Sequence, residues 1–179
     1  MRHLIKSLND AVAANNTYAA LTLALSLPDI CCYAKHGRTS GKRYAEWFGV
    51  YVEAKYRQMV GAWQLGMGMQ VTFLNGDDCY ALRCAFLHEA RDEILEQRAR
   101  QALERFVFVE PGFGCHSSIL NGTLLSLQVD RFCKDIADGV EQFLNDVVGD
   151  AEVQNRISMQ ARVLSRGEDI PGLVVHSSP

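Results

Sequence analysis

No charge of one sign dominates this chain. Eighteen basic and twenty-one acidic residues in 179 leave a formal net charge of −3. That excludes a strongly basic domain that holds nucleic acid by its overall field, and leaves a local basic patch open. No apolar run is long enough to span a bilayer: the longest, Ala19 to Leu27, falls far short of the ~20 residues required. No membrane segment and no signal peptide are expected. The six cysteines (Cys31, Cys32, Cys79, Cys84, Cys115, Cys133) have no disulfide-framework spacing and form no Cys-x-x-Cys pair. Reduced thiols in a cytoplasmic protein are the expectation. No internal repeat or low-complexity segment occurs.

What is present is an ordinary globular balance, 48% apolar and 22% charged, in a chain long enough for one domain with a real core. Leu4, Ile5, Leu8 and Val12 recur at helical spacing. Asn15-Asn16-Thr17 reads as a break, with Asn16 or Thr17 capping the next helix. Pro28 marks a kink or a restart. Tyr44, Trp47, Phe48, Tyr51, Val52 and Tyr56 share one helical face behind a Ser40 cap. Such a stripe is core, a dimer surface, or a platform for stacking bases.

Met67, Met69, Val71 and Phe73 read as a short extended segment, and Asn75-Gly76 as a turn. Asp77 or Asp78 then caps a helix over about 77–90. After Glu89 the run is charged and reads helical to about Glu104. Phe106 to Val109 is a β-branched and aromatic strand, and Ser117–Leu120 and Thr123–Val129 form a hairpin about Asn121-Gly122. Asp130 to Val148 is a strongly amphipathic helix, with Gly139 inviting a close neighbour. An Ile157–Met159–Ala161–Val163 alternation suggests a last strand, and 166–179 a flexible tail. The fold expected is mainly α: one helical domain over 1–165 around the 77–90 helix, with a minor β element at about 106–129.

Two segments carry chemistry. Lys35, His36, Arg38, Lys42 and Arg43 fall in one polar stretch. It is either a solvated interhelical loop or a phosphate-facing patch. Gly41-Lys42 departs from a phosphate-binding loop twice: His36 holds the first glycine position, and Arg43 follows where Ser or Thr is required. Arg91, Arg98, Arg100 and Arg105 could extend the patch into a rim. The second segment is the apolar run Tyr80–Leu87, interrupted by Arg83 and followed by His88. An Arg in such a run calls for a partner. Arg83 presents a fork of donors suited to phosphate, and His88 titrates near neutral pH. Such a pair can cleave RNA without metal, the 2′-hydroxyl attacking its own phosphate. Five helical steps set the two about 140° apart around the axis. Sharing one phosphate therefore needs a bent or ending helix, or two subunits face to face. Glu89, Asp92 and Glu93 either orient His88 or form a solvated face. Cys84 and His88 at i and i+4, with Cys79 and Cys115-His116, offer a weaker thiol or zinc alternative.

Leu82-Arg83-Cys84-Ala85-Phe86-Leu87-His88 resembles the motif of the HEPN superfamily, Arg and His separated by four to six residues. The resemblance implies a helical fold and dimers built across the motif-bearing helices. It also implies either a metal-independent endoribonuclease of toxin, phage-defence or RNA-processing type, or an inactive RNA-binding relative. Arg83 and His88 would be the catalytic pair, with no cofactor and no metal. Lys35, Arg38, Lys42, Arg43 and Arg91 would bind RNA. A homodimer, RNA and an antitoxin-type protein would be the partners. Cys84 stands where the family often has a polar residue, typically Asn. The alternative is a non-enzymatic helical interaction protein in which Arg83 pairs with an acidic residue, Asp78 or one from another helix, and His88 is also structural.

Overall fold

The computed structural model describes residues 1–61, 68–87, 105–112, 114, 116–120, 124–160 and 163. The protein is mainly α. Six described helices are α1 (Arg2–Ala13), α2 (Thr17–His36), α3 (Gly41–Tyr51), α4 (Gly76–Leu87), α5 (Val129–Asp146) and α6 (Ala151–Ser158). Five short strands accompany them: β1 (Arg57–Val60), β2 (Met69–Thr72), β3 (Phe106–Val109), β4 (Ser118–Leu120) and β5 (Leu124–Gln128).

The helix that organises the bundle is α2 rather than α4. It packs against α1, α3, α4, α5 and α6, whereas α4 packs chiefly on α3 and α2. Its composition explains this. Leu21, Leu25, Leu27, Cys31 and Cys32 are buried with small Ala20, Ala24 and Ala34 between them, which lets neighbours approach from several sides. Asn16 caps its start by accepting from the Ala19 amide, and Gly37 ends it with a left-handed φ of 67°. Pro28 lies within the helix and does not end it. By length and composition α2 is also the described helix that could cross a membrane. Half of that apolar window is buried inside the protein, and the core accounts for its hydropathy.

The aromatic stripe is core. Tyr44, Phe48 and Tyr56 are fully buried, and Trp47 and Tyr51 nearly so. The stripe is therefore spent within the chain and is not a free dimer surface. Ser40 caps α3 as its position predicts, but the helix stops at Tyr51 and passes through a 3-10 turn, Glu53–Tyr56, into β1. Two glycines set how closely α3 is packed. A Cβ at Gly76 would overlap the backbone of Ala45, so α4 starts hard against α3. A Cβ at Gly139 would come within 2.8 Å of Val52 Cγ2 and 3.3 Å of Trp47. The glycine inside α5 thus admits the aromatic face of α3.

β1 and β2 pair antiparallel, Arg57 opposite Thr72 and Val60 opposite Met69. β1 was not legible as a strand, because its residues continue a helical pattern. The hairpin is present, with Ser118 opposite Ser126 and Leu120 opposite Leu124; its Asn-Gly turn lies outside the described residues. β3 joins the other edge of β5 in parallel, Phe106 opposite Leu125. Two sequence expectations are corrected. Asn75, not Asp77 or Asp78, caps α4, accepting from the Asp78 amide at 2.8 Å. The expected last strand does not begin at Ile157, which instead lies in the last turn of α6; that helix is capped by Asp150, whose Oδ1 accepts from the Glu152 and Val153 amides, while Ala161 lies outside the described residues. An N-terminal carboxylate with two amides to receive outweighs a weak alternation. The helical run expected to about Glu104 and the tail 166–179 lie outside the described residues.

Candidate functional site

Arg83 projects from the last part of α4 toward α2. Its Nε donates to Asp29 Oδ2 at 2.8 Å. Both side chains are mostly buried, 20% and 14% exposed. Burial is the largest single influence on the Arg83 pKa and would lower it; Asp29 and Cys84 together outweigh it and raise the value, fixing the positive charge. The other carboxylate oxygen, Oδ1, accepts from the Thr39 hydroxyl at 2.6 Å. Asp29 thus ties three pieces together: its own helix, α4 through Arg83, and the α2–α3 loop through Thr39. The partner of Arg83 comes from another helix, and Asp78 instead accepts from Arg105 at 3.3 Å.

Asp29, like Arg83, is a charge set in an apolar run, among Leu27, Pro28 and Ile30. Two opposite charges in two apolar runs are each other's simplest solution. Thr39 carried no comparable signal.

The basic segment is shorter as a loop than its composition suggests. Lys35 and His36 form the end of α2, Gly37–Ser40 is the connection, and Lys42 and Arg43 open α3. Arg156 on α6 braces this end, donating to the carbonyls of Ala34 at 2.6 Å and Lys35 at 3.0 Å. Cations at the end of α2 suit its dipole; those in the first turn of α3 oppose theirs. Lys42 has Glu46 at 3.9 Å, an exposed pair. Among the described residues no carboxylate lies within 4 Å of Lys35, Arg38 or Arg43. Thr39 sits inside this segment, so its bond to Asp29 brings the basic segment and Arg83 to a common carboxylate. His88 and Arg91 lie outside the described residues.

A second polar centre was missed. Asp135 on α5 accepts from the Tyr56 hydroxyl at 3.0 Å and from Lys55 at 3.0 Å. Lys55 also reaches Asp138 at 2.9 Å, which takes Lys134 at 2.7 Å. His116 Nε2 is 3.8 Å from Asp135, and its Nδ1 accepts from the Gln128 amide at 3.1 Å. That acceptor role places the imidazole proton on Nε2. Burial lowers the His116 pKa, Asp135 pulling the other way. Only separation in sequence hid this group: residues 55, 56, 116 and 135 share no motif.

Of the thiols, Cys31, Cys32, Cys79, Cys84 and Cys133 are buried and unpaired. Burial pushes Cys79 up to about 12, which keeps its thiol protonated and poorly nucleophilic. Among the described residues no three His, Cys, Asp or Glu side chains are grouped to hold a metal. Compared with known proteins, the chain matches no family model, no curated protein and no solved structure. The class defined by its own architecture is therefore a mainly α bundle with two small sheets, carrying a carboxylate-anchored arginine beside a basic segment.

Proposed function

We propose that this chain is a HEPN-like protein that binds RNA at the Arg83 end of α4 and cleaves it without a metal. The observation that carries this reading is Asp29, shared by Arg83 and by Thr39 of the basic segment. Held by Asp29 through Nε and neighboured by Cys84, the guanidinium would offer its remaining donors to a phosphate. Lys35, Arg38, Lys42 and Arg43 would hold neighbouring phosphates of the strand. Arg83 would stabilise the charge that develops when the 2′-hydroxyl attacks, and His88 would move the proton. Homodimerisation would combine two such pairs, and an antitoxin-type protein would mask them.

The second reading is a non-enzymatic helical interaction protein. The ion pair itself favours it, since a mostly buried Arg–Asp bond between two helices is also what a structural joint requires. Purified protein incubated in chelator with single-stranded and transfer RNAs, beside His88→Ala and Arg83→Lys, separates the two. The ribonuclease reading expects wild-type cleavage leaving cyclic-phosphate ends, its loss in His88→Ala at an unchanged melting temperature, and a strong reduction in Arg83→Lys. Absence of cleavage in the wild type, with Arg83→Ala melting markedly earlier, establishes the structural joint.

A further inference from the structure

We propose that the cleft between the last turn of α2 and the adjoining side of α3 holds one nucleotide of a single RNA strand, apart from the Arg83 centre. This rests on the RNA reading above and adds to it a second contact of defined chemistry. The cleft encloses about 250 Å³ and is lined by Lys35 and His36 of α2 and by Arg43, Glu46, Trp47, Val50 and Tyr51 of α3. Pockets for small molecules run to roughly 300–1,000 Å³, so a single nucleotide is the largest unit it accommodates.

Its lining has a cationic and an apolar part, as a nucleotide has a charged and an apolar part. Lys35 and Arg43 have no carboxylate within 4 Å among the described residues, and the one acid on the rim, Glu46, has Lys42 at 3.9 Å. Cationic charge here is crowded: burial, then Arg43 and Lys35, hold the His36 pKa down. A phosphate would relieve that crowding. The rest of the lining on α3 is largely apolar. Val50 is 67% exposed, an unusual placement for a valine on a packed helix, and Trp47 and Tyr51 lie behind it with ring centroids 5.2 Å apart. Trp47 also carries a buried indole N–H with no hydrogen-bond partner among the described residues. Cations for the phosphate stand beside an apolar floor for sugar and base, formed by exposed Val50 and by the few exposed atoms of Trp47 (5%) and Tyr51 (8%). The loop Gly37–Ser40 leads from this cleft to Thr39 and Asp29, so one strand could run from the cleft to Arg83.

The test is an NMR titration of the full-length protein with adenosine 5′-monophosphate, adenosine and inorganic phosphate, repeated on the Lys35→Ala/Arg43→Ala double variant. Cleavage of single-stranded RNA is assayed in parallel. The nucleotide should shift the Trp47 indole and the amides of Lys35, Arg43 and Val50. Adenosine and phosphate alone should each bind roughly tenfold or more weakly, as loss of either the charged or the apolar half predicts. The double variant should lose a similar factor at an unchanged melting temperature. Inorganic phosphate binding as tightly as the nucleotide, or a double variant that binds it equally well, overturns the proposal. RNA cleavage without nucleotide binding sinks the cleft and spares the ribonuclease; nucleotide binding at the cleft without RNA cleavage does the reverse.

Discussion

Two carboxylates join distant parts of this molecule, and they do so in different company. Asp135 sits in a closed circuit: Tyr56, Lys55 and His116 surround it, and Asp138 balances the remaining lysines. Asp29 sits in an open one: it holds a single arginine and a threonine, while the neighbouring Lys35, Arg38 and Arg43 lack carboxylate partners among the described residues. A balanced cluster stabilises a joint. An unbalanced one leaves charge over for something outside the chain, which is why the Arg83 end is the functional candidate and the Asp135 end is read as structural.

Three measurements break or sharpen that contrast. Asp135→Ala should have the largest effect, about 2–4 kcal/mol in urea denaturation. It strips the acceptor from the fully buried Tyr56 hydroxyl and one of two partners from Lys55. Asp29→Asn should cost less, about 1–2 kcal/mol, because Arg83 retains 20% exposure and can recover some hydration. It should also weaken RNA binding, by freeing the guanidinium from its fixed orientation. A cost as large as that of Asp135→Ala, with RNA binding untouched, would erase the distinction between the two centres.

The smallest effect is a pH dependence carried by His116. Its folded pKa is depressed below the ordinary value, so the unfolded chain takes up the proton first as pH falls. The stabilisation is fully present above about 6.5 and is lost as pH drops through the folded value. Protonation would also place a hydrogen on Nδ1, against the Gln128 N–H it now accepts. Urea midpoints between pH 7.5 and 5.5 should fall in the wild type and flatten in His116→Gln. An unchanged slope in that variant would assign the dependence elsewhere.

The sequence by itself determined most of the elements, because their signals are local. Helical spacing in Leu4–Val12, the Ser40 cap, the aromatic stripe, the pairing of β4 with β5 and the amphipathic α5 depend on neighbours a few residues away. Arg83 was legible as a charge in need of a partner. Where the local signal was thin, a better local competitor won: Asn75 over Asp77 and Asp78 as cap, and the Asp150-capped α6 over the start of a weak alternation at Ile157. Tertiary structure alone decided that α2 is the hub, that β3 pairs in parallel with β5, and that Arg83 meets Asp29, fifty-four residues away. It also gathered Lys55, Tyr56, His116 and Asp135, which nothing in their spacing connects. The reason is physical: a cap or a periodic face is set by the geometry of a few successive turns, whereas the partner of a buried charge is chosen by how whole helices pack.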